Sequence, residues 1–75
     1  MNKARRARLN AAINAMQDIK LEIESIRDEE EEARDNLPES LQDSNAYETM
    51  DDAVDNMDSA IDNIDDAISN LEDAM

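Results

Sequence analysis

The chain has 75 residues and a formal net charge of −14, and it contains no cysteine, histidine or glycine. Without cysteine and histidine, a disulfide framework, the usual structural zinc sites and nucleophilic catalytic dyads are excluded. The negative charge argues against direct binding to nucleic acid or an anionic membrane, and charged residues interrupt every apolar run well short of the roughly 20 residues that span a bilayer.

A long first helix is predicted over residues 3–36, because apolar residues recur there at alternating spacings of three and four. This spacing is typical of a helix that packs lengthwise on a partner. The predicted contact row, or seam, consists of Leu9, Ala12, Met16, Ile19, Ile23, Ile26, Glu30, Ala33 and Leu37. Ile13 and Leu21 fall outside this seam, and we expect them at a second contact.

The connection, residues 37–44, contains the only proline of the chain. Proline disfavours helical geometry at the preceding residue, so the first helix should end near Asn36 or Leu37. Pro38 is well placed to open a single turn of its own, with Leu41 under the end of the hairpin. A connection this short makes the two helices antiparallel neighbours.

The second helix is predicted over residues 45–75, with Asn45 as its cap and Glu48 three residues later. Its seam is regular and consists of Tyr47, Met50, Val54, Met57, Ile61, Ile64, Ile68, Leu71 and Met75. An antiparallel register that places Ile26 opposite Ile61 also brings three basic residues beside three acidic ones, as Arg34–Asp51, Arg27–Asp58 and Lys20–Asp65. The sequence therefore predicts one all-α domain, residues 1–75, built as an antiparallel, coiled-coil-like helical hairpin.

One flank of the second helix carries alanine every seven residues. Two helices alone cannot surround their seams, and small side chains let another helix approach closely. We therefore predict a homodimer that forms a four-helix bundle. The expected self-association residues are Ala53, Ala60, Ala67, Ala74, Ile13 and Leu21. A monomeric hairpin that keeps part of its apolar face for a foreign partner is the competing interpretation.

The acidic surface of the second helix is the main functional clue. It consists of Asp51, Asp52, Asp55, Asp58, Asp62, Asp65 and Asp66. Carboxylates that alternate four and three residues apart rise about 5 Å each along a helix, which is on the scale of phosphate spacing in DNA. This predicts binding to a basic or nucleic-acid-binding protein, with mimicry of a nucleic acid as the sharper hypothesis. The alternative is a solvated face on a purely structural, self-assembling bundle.

An enzymatic interpretation depends on Glu29-x-x-Glu32 and Glu48-x-x-Asp51. This pattern resembles the magnesium-binding carboxylates of the all-helical nucleotide pyrophosphohydrolases. The heptad phase, however, places Glu32 and Glu48 on outward positions and not in a shared cleft. We therefore predict a protein that is not an enzyme and has no cofactor or metal site.

The segment Asn36-Leu-Pro-Glu-Ser-Leu-Gln42, followed by Tyr47-Glu-x-Met50, resembles short, acidic, mostly uncharacterised proteins from phages and mobile elements of Gram-positive bacteria. The resemblance implies an accessory protein that binds host or phage machinery, for example as an inhibitor of a restriction or CRISPR nuclease. The basic start of the chain also has the composition of an organelle transit peptide. Its heptad phase continues into the first helix, so we expect a structural helix and a cytoplasmic protein.

Overall fold

The computed structural model describes all 75 residues and contains two long helices and no strand. Helix α1 spans Lys3–Asp35 and helix α2 spans Asn45–Asp73, and a single 3-10 turn, Glu39–Leu41, lies between them. The two helices pack against each other in a rod with principal extents of 59 × 15 × 11 Å. The predicted all-helical, two-helix architecture is confirmed, and neither helix has an apolar stretch long enough to cross a bilayer.

Both helices begin at a side-chain cap. The Asn2 side chain accepts a hydrogen bond from the backbone N–H of Arg5 at 2.8 Å. At α2 the cap is Ser44, whose backbone is extended and whose hydroxyl accepts from the N–H of Tyr47 at 3.4 Å. The prediction that Asn45 caps α2 is therefore wrong, because Asn45 is already the first helical residue.

The connection is short and held by its own hydrogen bonds. Helix α1 ends at Asp35, and Pro38 has an extended backbone immediately before the 3-10 turn. The Gln42 side-chain amide donates to the carbonyl of Leu37 at 2.7 Å, which links the two ends of the connection. Leu41 is 43% exposed, so the prediction that it tucks under the hairpin is wrong.

Helix α1 is rotated relative to the predicted seam. Ile13 is only 6% exposed, whereas Ile19 and Ile26 are 55% and 45% exposed. The buried and half-buried residues in α1 and just after it are Leu9, Ile13, Met16, Lys20, Ile23, Glu24, Arg27, Glu30, Glu31, Arg34 and Leu37, so the row of Ile13, Lys20, Arg27 and Arg34 faces α2. The predicted seam positions Ala12, Ile19, Ile26 and Ala33 are therefore wrong, and so is the pairing of Ile26 with Ile61.

The rotation has a physical reason. The row Ile13, Lys20, Arg27 and Arg34 and the row that precedes it by one residue have the same seven-residue period. Because successive residues of a helix lie about 100° apart, the two rows point in directions about 100° apart around α1. When this row faces α2, the aliphatic stems of Lys20 and the two arginines cover apolar surface while their charged ends reach the edge of the contact. The period of the pattern alone cannot choose between the two rows.

Helix α2 presents its predicted seam except at Met75, which lies beyond the end of the helix at Asp73 and is 38% exposed. Val54, Ile61 and Ile68 are buried, and Met57 and Ile64 are half-buried. Together with Ile13, these three residues are the only buried ones in the chain. The core between the helices is therefore thin, and much apolar surface stays accessible beside it.

Candidate protein-binding surfaces

Three ion pairs join the helices along one broad side of the hairpin, which we call the ion-paired face. The nitrogen-to-oxygen distances are 2.8 Å for Lys20–Asp65, 2.5 Å for Arg27–Asp58 and 2.7 Å for Arg34–Asp51. These are the three pairs that the antiparallel charge pattern predicts, and the structure confirms them. Because the pairs are spaced seven residues apart in both helices, they fix the rotation of α1 and its direction relative to α2.

Each arginine of the ion-paired face also contacts carboxylates of its own helix. Arg27 donates to Asp28 at 2.9 Å, and Arg34 donates to Asp35 at 3.0 Å. The Arg34 guanidinium also lies 5.8 Å from the centre of the Tyr47 ring, within the range of a cation–π contact. These neighbours hold the side chains along the edge of the contact.

The same contacts shift the acid–base equilibria of the three cations. The hydrogen bond to Asp65 raises the pKa of Lys20, and the charges of Asp65 and Glu24 act in the same direction. The hydrogen bond to Asp58 raises the pKa of Arg27. The pKa of Arg34 is likewise raised, first by its hydrogen bond to Asp35.

The seven aspartates predicted as a partner surface fall into two classes. Asp51, Asp58 and Asp65 are bound in the ion pairs. The others are exposed and have no cationic partner within 4 Å; we call them the free acidic stripe, and they are Asp52, Asp55, Asp62 and Asp66. The stripe covers about 21 Å of helix at 1.5 Å per residue. Its spacing is irregular, since Ser59 lies between Asp55 and Asp62, so the even 5 Å rise of free charge is lost.

The opposite broad side of the hairpin is mainly apolar, and the half-buried Glu30 is the one acidic residue beside its core. Ile26 directly precedes Arg27 and lies about 100° around α1 from it, while Ala60 follows Asp58 by two residues and lies about 160° around α2 from it. Both residues are therefore on the side of the contact that has no ion pairs. We call this side the open apolar face, and it is formed by Ile19, Ile26, Ala53, Ala60 and Ala67 with the half-buried edges of Met57, Ile64 and Leu71.

The predicted self-association residues do not all lie on the open apolar face. Ala74 belongs to the same heptad row as the other alanines, but it is exposed and caps the C-terminal end of α2, just beyond the open apolar face. Ile13 is 6% exposed and packs between the two helices, so the prediction that it lies at a second contact is wrong. Leu21 is exposed, but it is two residues from Ile19 and therefore on the opposite side of α1. The rotation of α1 accounts for both differences.

An uncharged edge borders the alanine row of α2. It consists of Thr49, Asn56, Asn63 and Asn70, each of which follows an alanine by three residues. Other exposed positions of α2 are mostly aspartate or glutamate, so this edge is unusual for a chain with 21 acidic residues. The seven-residue spacing of these side chains is visible in the sequence, and it is the signal that could have identified the uncharged border of the open apolar face.

The two ends of the rod differ in charge. At the N-terminal end, Arg5 and Arg8 line a shallow, open cavity of about 350 Å³ with Met1, Leu9 and Ala12. Neither arginine takes part in any of the ion pairs of the chain. Toward the turn, α1 carries the acidic run of residues 28–32. One end of α1 therefore offers free cations, and the other offers excess carboxylates.

The carboxylates considered for a metal site do not converge. Glu32 and Glu48 are exposed, and Asp51 is bound to Arg34. No group of three or more acidic side chains is close enough to hold a metal ion. No protein-family model, curated protein or solved structure matches the chain, and the case for its function therefore depends on its surfaces.

Proposed function

We propose that this protein is a non-enzymatic binding module whose free acidic stripe engages a basic surface of another protein. The observation that carries the proposal is the division of the aspartates into two classes. Asp51, Asp58 and Asp65 are held by cations of the hairpin, whereas the four carboxylates of the stripe have no such partner. These four lie on a 29-residue helix, so their positions are fixed before a partner arrives. Complementary charge would also accelerate association with a basic surface.

A basic surface that suits this stripe is one that binds nucleic acid. The resemblance of the connection to proteins of Gram-positive phages and mobile elements supports an accessory protein of that origin, acting in the cytoplasm. Its target would then be a host or phage protein such as a defence nuclease. In this proposal the chain competes with nucleic acid through overall charge and not through a regular copy of phosphate spacing.

We further propose that two hairpins associate into a four-helix bundle. The open apolar face supports this, because a two-helix layer leaves one broad side of its core uncovered. A purely structural bundle is the second candidate function, and the same face favours it. The two candidates differ in whether the free acidic stripe has a binding partner.

The test neutralises the free acidic stripe in one variant and an equal number of other acidic residues in a second variant, and it compares their binding. One variant carries asparagine at all four stripe positions, and a matched control neutralises four exposed, unpaired acids outside it: Asp18, Glu32, Glu39 and Asp43. Proteins captured by the unmodified chain from a Gram-positive lysate are identified and purified, and their affinities for each variant are measured with and without competing duplex DNA.

We expect the stripe variant to bind about tenfold more weakly, equivalent to about 1.4 kcal/mol shared among four charges. The control should retain its affinity, and DNA should compete. If both variants lost affinity equally, the interaction would depend on total negative charge and not on the free acidic stripe. If no nucleic-acid-binding protein is captured, the purely structural bundle becomes the better explanation.

A further inference from the structure

We propose that the open apolar face is covered by a second copy of this chain that runs antiparallel to the first, with α1 packed on α1 and α2 on α2. This inference builds on the four-helix bundle proposed above and specifies its contact face and its orientation. Three features of the structure support it: the size of the face, the lack of charge along its α2 edge, and the distribution of charge along its α1 edge.

The face is large enough for a stable dimer. A side of the rod measuring 59 by 15 Å has a projected area of about 900 Å², and a standard protein interface buries about 800 Å² of each partner. Ile19 and Ile26 leave about half of their surface in water, although they lie directly beside the core. A second copy would bury both isoleucines and cover the core beside the C-terminal half of α2.

The α2 edge of the face suits a partner that is itself strongly acidic. Two copies that each carry a net charge of −14 repel each other, so their contact must avoid opposing carboxylates. On α2 the uncharged edge of threonine and asparagine meets this condition, and the neighbouring alanines allow close approach of helices. The ion-paired face does not meet it, because aspartates and their arginine partners occupy its centre.

The α1 edge of the face sets the orientation. Arg8, Ala15, Glu22 and Glu29 recur every seven residues along this edge. When two α1 helices run antiparallel and are centred between residues 18 and 19, Arg8 of each copy lies opposite Glu29 of the other. Arg8 and Glu29 form no ion pair within the hairpin. Parallel copies would instead place both acidic turns at the same end.

The contact face is tested by sedimentation equilibrium of the full chain and of three variants. Ile19→Glu and Ile26→Glu each place a charge on the open apolar face, and Leu21→Glu makes a matched change on the opposite side of α1. All three residues are exposed, so the hairpin should stay folded, which circular dichroism verifies. We expect the first two changes to raise the dimer dissociation constant at least about tenfold, because an unpaired charge is buried. Leu21→Glu should leave it unchanged.

The orientation is tested by charge reversal and by a distance. Arg8→Glu and Glu29→Arg should each weaken the dimer, and the double variant should restore it. Because the chain has no cysteine, Ser40→Cys places a single spin label at the turn. Electron–electron resonance should then report a distance comparable to the 59 Å length of the rod.

Each contrary outcome identifies the part that fails. A chain that stays monomeric up to about 0.5 mM would refute both the bundle and the second copy. A dimer with a short distance between turn labels would keep the bundle and overturn the antiparallel orientation. A dimer that tolerates both isoleucine substitutions as well as Leu21→Glu would overturn the contact face.

Discussion

Lys20 and Arg27 show how a single residue decides which side of α1 faces inward. Each directly follows an isoleucine, Ile19 or Ile26. Either the isoleucine or the basic residue could face α2, because both recur every seven residues. Full burial of an isoleucine stabilises by roughly 1.5–3 kcal/mol, whereas an exposed ion pair contributes about 0.2–1 kcal/mol. The observed rotation nevertheless leaves Ile19 and Ile26 in water. The proposed dimer would cover both isoleucines and would therefore account for this rotation.

Lys20 also gives the hairpin a response to alkaline pH. Its pKa is raised in the folded chain by the hydrogen bond to Asp65, so the folded state holds this proton more tightly than the unfolded state does. The stabilisation is fully present below the unfolded pKa of about 10.4 and is lost as the pH rises through the folded value. In Lys20→Arg the charge persists, so the melting temperature of the unmodified chain should fall relative to this variant as the pH rises above about 10. Thermal melts of both proteins across this range measure the difference, and parallel curves would contradict the role given to Lys20.

The two helices differ in how much of their structure the sequence determines. In α2 the seam is apolar throughout, its alternation of three and four permits one inward face, and the structure confirms that face. In α1 the period is equally clear, but two adjacent rows compete, and the outcome depends on side-chain stems and ion pairs that periodicity does not weigh. Because this rotation also decides which residues line the open apolar face, Ile13 lies in the core of the hairpin and Leu21 lies on the opposite side of α1 from that face.

The polar residues in the α1 seam should cost stability. Arg27 lies at a position that an apolar side chain could fill, and its partner Asp58 is half-exposed and can be solvated when it loses the arginine. We therefore expect Arg27→Leu to increase the free energy of unfolding by about 1 kcal/mol, because polar residues in a seam specify its geometry at the expense of stability. Denaturant titration at a fixed chain concentration measures this.

The control for this prediction is Ser25→Leu, which adds the same side chain at an exposed position two residues away, on the outer side of α1. It should leave the free energy of unfolding unchanged. If Arg27→Leu proved destabilising, the ion pair with Asp58 would contribute more than the apolar contact that replaces it.

At the scale of the whole molecule, the two broad sides of the hairpin differ in charge, and so do the two ends of α1. One broad side is crossed by ion pairs, the other is mainly apolar, and free cations are concentrated at one end of α1. The sequence predicted the ion pairs, since residues spaced by seven on both helices must meet if the helices are antiparallel. The pattern of charges does not separate Asp51, Asp58 and Asp65 from the acidic surface, because only their contacts with Arg34, Arg27 and Lys20 in the folded hairpin neutralise them.

This arrangement predicts that salt stabilises the hairpin. At about 0.01 M ionic strength the screening length of roughly 30 Å exceeds the width of the rod, so unpaired carboxylates repel one another across it; at about 1 M the length is roughly 3 Å. Ion pairs at 2.5–2.8 Å persist at high salt better than repulsion over longer distances does. The melting temperature should therefore rise with sodium chloride, as measured by circular dichroism at one chain concentration. A fall would mean that the ion pairs outweigh the repulsion.

The seven-residue repetition of both helices also leaves their relative position along the rod nearly degenerate. If α2 slid by one repeat, about 10 Å, then Arg34 would meet Asp58, Arg27 would meet Asp65 and Lys20 would meet Glu72, with no loss of charge pairing. The slide would shorten the overlap of the helices by one repeat, and the short segment around Pro38, tied by the amide of Gln42 to Leu37, prevents it. Charge pairing alone therefore permits more than one register of the two helices, and the length of the connecting segment selects the observed register.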